Sequence, residues 1–99
     1  MGYEFHITRA EFWPESSSDP IGVEEWEALA DSSTLLREDG YIKWVDIGRQ
    51  KVYAIPGEAA SFSWRHGRVD ISGRYTDGVQ AVAEFLADAL TAHVFGDDE

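Results

Sequence analysis

At 99 residues the chain has room for one domain, and 43% hydrophobic with 27% charged residues is a globular composition, not a disordered one. Nineteen acids against eight Lys and Arg give a net charge of −11, and there is no cysteine, which excludes disulfides, thiol chemistry and thiolate metal sites. No apolar run approaches the ~20 residues of a membrane span, and Gly2-Tyr3-Glu4 lacks the basic start of a signal peptide. The expectation is one soluble domain over 1–99, cytoplasmic, with 97–99 as a frayed acidic tail.

Tyr3 to Arg9 alternates apolar and polar residues and predicts a half-buried strand. Tyr3, Phe5 and Ile7 would face the core, and Glu4, His6 and Thr8 would face water. Residues 10–19, with Trp13-Pro14 and three serines, predict a loop. Ile21 to Ala30 predicts a short helix with Gly22 as N-cap, Glu25 at N3, and Ile21 and Trp26 spaced as a hydrophobic staple. Trp26, Leu29 and Ala30 form its apolar stripe; Glu24, Glu27 and Asp31 fall on the wet side.

Four strands are predicted next: Gly40–Gly48, Lys51–Ile55, Ser61–Arg65 and Arg68–Ser72. The short connections between them favour antiparallel hairpins. A final helix opens at Thr76-Asp77-Gly78, with Asp77 as cap and Gln80 as its capping-box partner. Val79, Val82, Ala83, Leu86, Ala89 and Leu90 form its buried stripe. Residues 92–95 can add a short closing strand. The fold class that results is α+β: an antiparallel sheet of about five strands with two helices on one face, in the order β-α-β-β-β-β-α.

The charge is segregated along the chain. Residues 1–36 carry net −7, residues 37–74 carry +2, and residues 75–99 carry −6 with no base at all. Such a field steers basic partners in and repels phosphate backbones.

The residues support little catalytic chemistry. His6, His66 and His93 have none of the spacing of a helical metal site. Ser61 and Ser63 lie near His66 in sequence, yet no nucleophile-elbow pattern surrounds them. Glycine-rich phosphate loops are absent. Neither a cofactor nor a metal is expected, and no residue is assigned a catalytic role.

Several ordered motifs carry a resemblance. They are Phe5-His6-Ile7-Thr8-Arg9-Ala10 with Trp13, then Pro20-Ile21-x-x-Glu24-Glu25-Trp26, then Phe62-x-Trp64-x-x-Gly67-x-Val69. The last is Leu86-Ala87-x-x-Leu90-x-Ala92-x-Val94-x-Gly96-Asp97-Asp98. Together they resemble a group of small bacterial proteins, of actinobacterial type and similar length, for which no activity is established. Gly22 stands where that group tends to have serine, and Thr76-Asp77 where it tends to have Pro-Asp. The resemblance implies a bacterial cytoplasmic α+β domain and supplies no reaction.

Composition and pattern therefore point first to a protein-interaction module that engages a basic partner, in the manner of an immunity or inhibitor protein. Glu24, Glu27, Asp31, Glu84 and Asp88 would steer the encounter, and Trp13 would anchor it. The alternative is a small-molecule site or small enzyme on the aromatic sheet face, lined by Trp44, Tyr53, Trp64, Arg65 and Arg68. A second alternative puts single-stranded nucleic acid on that same face. The net charge opposes it.

Overall fold

The computed structural model describes residues 4–10, 18–45 and 48–96. Strands β1 (Phe5–Thr8), β2 (Arg37–Trp44), β3 (Gly48–Ala54), β4 (Ala60–Arg65), β5 (Arg68–Gly73) and β6 (His93–Gly96) form one antiparallel sheet, in the spatial order β2-β3-β4-β5-β1-β6. Helices α1 (Val23–Ser32) and α2 (Asp77–Ala89) lie on one face of it. This is the α+β architecture expected, with the closing strand present as β6. β1 lies inside the sheet, next to the edge strand β6: it pairs with β5 through Phe5–Ile71 and Ile7–Val69, and with β6 through Ile7–Val94 and Thr8–His93. The two ends of the chain thus zip together beside the hairpin of β4 and β5.

The core lies between the sheet and the helices. Ile7, Tyr53, Phe62, Val69 and Ile71 supply the sheet side. Trp26 and Ala30 of α1, and Val79, Ala83, Leu86 and Ala87 of α2, supply the other. Trp26 sits edge-on to Tyr53, with centroids 5.7 Å apart, and near-parallel to Phe62 at 6.3 Å. Both geometries suit the aromatic quadrupole.

α1 begins as expected. Gly22 is the N-cap, its carbonyl accepts from Trp26 N–H at 3.0 Å, and Glu25 Oε1 reaches back to Gly22 N–H at 3.4 Å. Ile21 and Trp26 are both buried in the core. The start of α2 differs by one residue. Thr76, not Asp77, is the cap: its hydroxyl accepts from Val79 N–H at 3.2 Å while donating to Glu58 Oε1 at 2.9 Å. A hydroxyl can do both at once, and a carboxylate cannot. Gln80 consequently turns to Glu84 (3.2 Å) instead of back to the cap.

The hairpin of β2 and β3 also departs from expectation. β2 starts at Arg37, three residues before Gly40, because Gly40 (φ +111°) sits where the register shifts between Glu38 and Tyr41. A glycine at positive φ is the device of a bulge, so it interrupts the ladder without ending the strand. β3 starts at Gly48, paired with Trp44, so Gly48-Arg49-Gln50 is strand and not connection.

His6 and Thr8 were expected to face water, but they are buried, with His6 only 2% exposed. On the face away from the helices, His6 Nδ1 lies 2.7 Å from Asp70 Oδ1, and Arg68 Nε donates to the same oxygen at 2.8 Å. Cross-strand pairing of β1 with β5 places His6 opposite Asp70, so the buried imidazole has a hydrogen-bond partner. Asp97, Asp98 and Glu99 lie outside the described residues.

Candidate functional site

Both helices turn an anionic outer surface to solvent. α1 contributes Glu24, Glu25, Glu27 and Asp31, α2 contributes Asp77, Glu84 and Asp88, and neither helix contains a Lys or Arg. The expected interaction residues Glu24, Glu27, Asp31, Glu84 and Asp88 are all on this layer, exposed except for half-buried Glu27. The period that buries Trp26 and Ala30, or Val79, Ala83 and Leu86, leaves those positions outward. Trp13 lies outside the described residues.

Not all of these acids are equally available. Asp31 Oδ1 accepts from the Tyr53 hydroxyl at 2.8 Å, and its Oδ2 lies 3.7 Å from Lys51 Nζ, which is also 3.6 Å from Glu38. Burial pushes the Tyr53 hydroxyl well above the usual tyrosine range, and the Asp31 carboxylate adds to the shift. Burial works against the charge on Lys51, but Asp31, Glu38 and Glu27 outweigh it and hold its pKa above the ordinary lysine value. Glu25 is tied to Arg9, whose guanidinium also donates to Leu90 O (2.8 Å) and Pro20 O (3.2 Å). The hydrogen bond from Arg9 holds the Glu25 carboxyl below its usual range. Glu24, Asp77, Glu84 and Asp88 are the exposed acids left to set the outward field.

Two surface features lie among them. Between the end of α1 and α2, Leu29, Leu35 and Phe85 line a hollow of about 370 Å³ with Ser32, Ser33 and Thr34. Phe85 is 55% exposed there and Leu35 39%. Along the other flank of α2, Glu84 and Asp88 line a groove of about 470 Å³ with Ala87, Ala92, His93, Val94 and Phe95.

Among the described residues, those of the alternative aromatic site are divided between the two faces of the sheet. Tyr53 is buried against Trp26 on the helix side, and Trp64 Nε1 donates to Ile21 O at 2.7 Å on that same side. Arg68 reaches Asp70 on the opposite face, and Arg65, next to Trp64 in an extended strand, shares that face. The reason is the two-residue period of a strand: neighbours Trp64 and Arg65 must diverge. Trp44 is in β2 backbone, and its side chain lies outside the described residues.

The polar cluster of His6, Asp70 and Arg68 was not legible as a unit, since 64 residues separate His6 from Asp70. His6 and Asp70 are buried, and with Arg68 their geometry is that of a core hydrogen-bond network. Ser63 is buried at the register position opposite Asp70, whereas His66 is exposed in the turn between β4 and β5. Asp70 of β5 stands between Ser63 of β4 and His6 of β1 in the sheet, and His66 is at the turn, so the register sets no serine beside a histidine among these residues. Among the described residues no group of three His, Cys, Asp or Glu could hold a metal ion, and no helix is long and apolar enough to cross a membrane.

Compared with protein-family models, curated proteins and solved structures, the chain matches none.

Proposed function

We propose that this chain is a small acidic protein-interaction module that engages a basic protein partner, as an inhibitor or immunity-type protein would. The observation that carries the reading is the helix layer: seven acids, four on α1 and three on α2, with no Lys or Arg on either helix and only Glu25 and Asp31 paired with cations, Arg9 and Lys51, from elsewhere in the described residues. An unbalanced field of this kind accelerates encounter with a basic surface and selects against acidic ones. The Leu29–Leu35–Phe85 hollow supplies what charge alone lacks, an apolar centre inside a polar rim. The absence of cysteine and the motif resemblance support a bacterial cytoplasmic setting.

The test is capture on the immobilised chain at low and high salt, with mass-spectrometric readout, in parallel with Glu24→Lys/Glu84→Lys/Asp88→Lys. A basic protein held at low salt, released at high salt and lost on charge reversal is the expected result. Retention that ignores both salt and charge reversal would remove the basis of the proposal.

A further inference from the structure

β2 forms one edge of the sheet. Among the described residues β3 is its only strand partner, and from Arg37 to Lys43 every residue is exposed except half-buried Ile42. Tyr41 is 52% exposed, and Val45, just past the strand, is fully so. Edge strands ordinarily turn other chains away with charges and bulges. β2 has both, but they are arranged to suit one neighbour.

After Arg37 the charges of β2 are sorted: Glu38 and Asp39 precede the bulge glycine Gly40, and Lys43 follows it. The bulge decides which of them share a face. Glu38 and Tyr41, three residues apart, would project to opposite faces of a regular strand. The register shift between them absorbs the extra residue. Glu38 therefore pairs with Tyr53, Tyr41 with Lys51 and Lys43 with Arg49, alternate positions of β3 on the helix side. The contacts agree: Glu38 lies 3.6 Å from Lys51 Nζ, and the Arg49 guanidinium sits over the Tyr41 ring at 4.3 Å. Along the ladder Glu38 stands two positions before Tyr41, and Lys43 two positions after it. Two β2 strands set antiparallel about Tyr41 would place Glu38 of each opposite Lys43 of the other, and Arg37 opposite Trp44. The two Tyr41 residues would face each other on the axis. Parallel pairing would set like charge against like.

We infer that β2 is a self-association edge, at which two copies of this chain join antiparallel about a two-fold axis at Tyr41 into one continuous sheet. Such a contact uses the same patch on both copies and closes at the dimer. Charge selects this occupant and this place. The chain carries net −11, yet residues 37–54 hold four bases against three acids. Glu84 and Asp88 lie at the far edge, beside β6. Two copies thus meet through the part of each that repels least. The inference stands apart from the acidic-module reading, because the α2 acids of both copies remain outward in the dimer.

The experiment is sedimentation equilibrium of the full chain over about a hundredfold range of concentration, where mass action should carry monomer to dimer and no further. Amide exchange should slow at 38–43 as the dimer forms. Glu38→Lys and Lys43→Glu each replace both attractive pairs with repulsive ones, and each should weaken the dimer about tenfold or more. Mixed in equal amounts, the two variants should dimerise with each other, since every facing pair is then one acid and one base. Recovery on mixing separates the cross-dimer pairs from any effect within one chain, including loss of the Glu38–Lys51 contact. A chain that stays monomeric throughout, or one that assembles beyond the dimer, would overturn the inference. So would slowed exchange confined to residues outside β2, variants that dimerise as well as the wild type, or a mixture no better than its components.

Discussion

Tyr53 is the residue on which the two layers meet. Its ring packs on Trp26 and its hydroxyl reaches Asp31 on the outer side of α1. Removing that hydroxyl in Tyr53→Phe should cost about 1 kcal/mol, the ordinary value of one such bond, measured by urea denaturation. Its raised pKa has a defined sign. The unfolded tyrosine ionises near the model value of 10.0 and the folded one above it, so the stability it contributes is complete below that pH and is lost as pH rises beyond it. Phenolate absorbance should show Tyr53 ionising only together with unfolding; a normal titration in the folded protein would contradict the burial. Glu25 has the opposite sign. Its folded pKa lies below the model value of 4.5 because Arg9 donates to it, so its contribution is present above that pH and is lost as pH falls through the folded value. The pair is largely exposed, so it is worth less than about 1 kcal/mol. The stability gap between the wild type and Glu25→Gln should therefore be small at pH 6 and close by pH 3.

Local rules hold where one element decides, and fail where a partner from elsewhere does. The apolar period of α2 identified Val79, Ala83, Leu86 and Leu90, all of them buried, with Val82 half-buried; it also took in Ala89, which is exposed, and passed over Ala87, which is buried. The cap moved to Thr76 because Glu58, 18 residues earlier, accepts its hydroxyl. Thr76→Ala removes both bonds and should cost at least the ~1 kcal/mol of a lost cap, whereas Thr76→Ser should recover most of it in the same denaturation series. Glycines show the same contrast. Gly40 and Gly73 both sit at positive φ, +111° and +100°, and sequence treats them alike. A Cβ on Gly40 would meet open space, but on Gly73 it would come within 2.3 Å of the Ala59 carbonyl oxygen. Gly40→Ala should cost only its backbone strain, about 1–3 kcal/mol, and Gly73→Ala clearly more; equal losses would mean that the turn between β3 and β4 yields freely. The candidate site was legible to the same extent. Alternation and helical period placed Glu24, Glu84 and Asp88 outward, but only sheet order could show that β6 is an edge and that Glu84 and Asp88 run along it.

At the scale of the molecule one property has two consequences of opposite sign. The acids that would recruit a basic partner also repel each other across the helix layer, where no Lys or Arg of α1 or α2 intervenes. Added salt screens both effects, because the Debye length shrinks from ~10 Å at 0.1 M to ~3 Å at 1 M. Salt should therefore raise the thermal midpoint of the free chain while weakening its complex. Asp88→Lys, in the last turn of α2 where a cation also suits the helix dipole, should raise the midpoint at low salt, flatten its dependence on salt, and weaken partner binding. A protein that gives up stability to keep a binding surface behaves in this way. If the charge reversal instead lowered the midpoint at low salt, Asp88 would have to be held by favourable contacts within the fold. It would then be structural, and the acidic layer would lose its claim to be a surface kept for a partner.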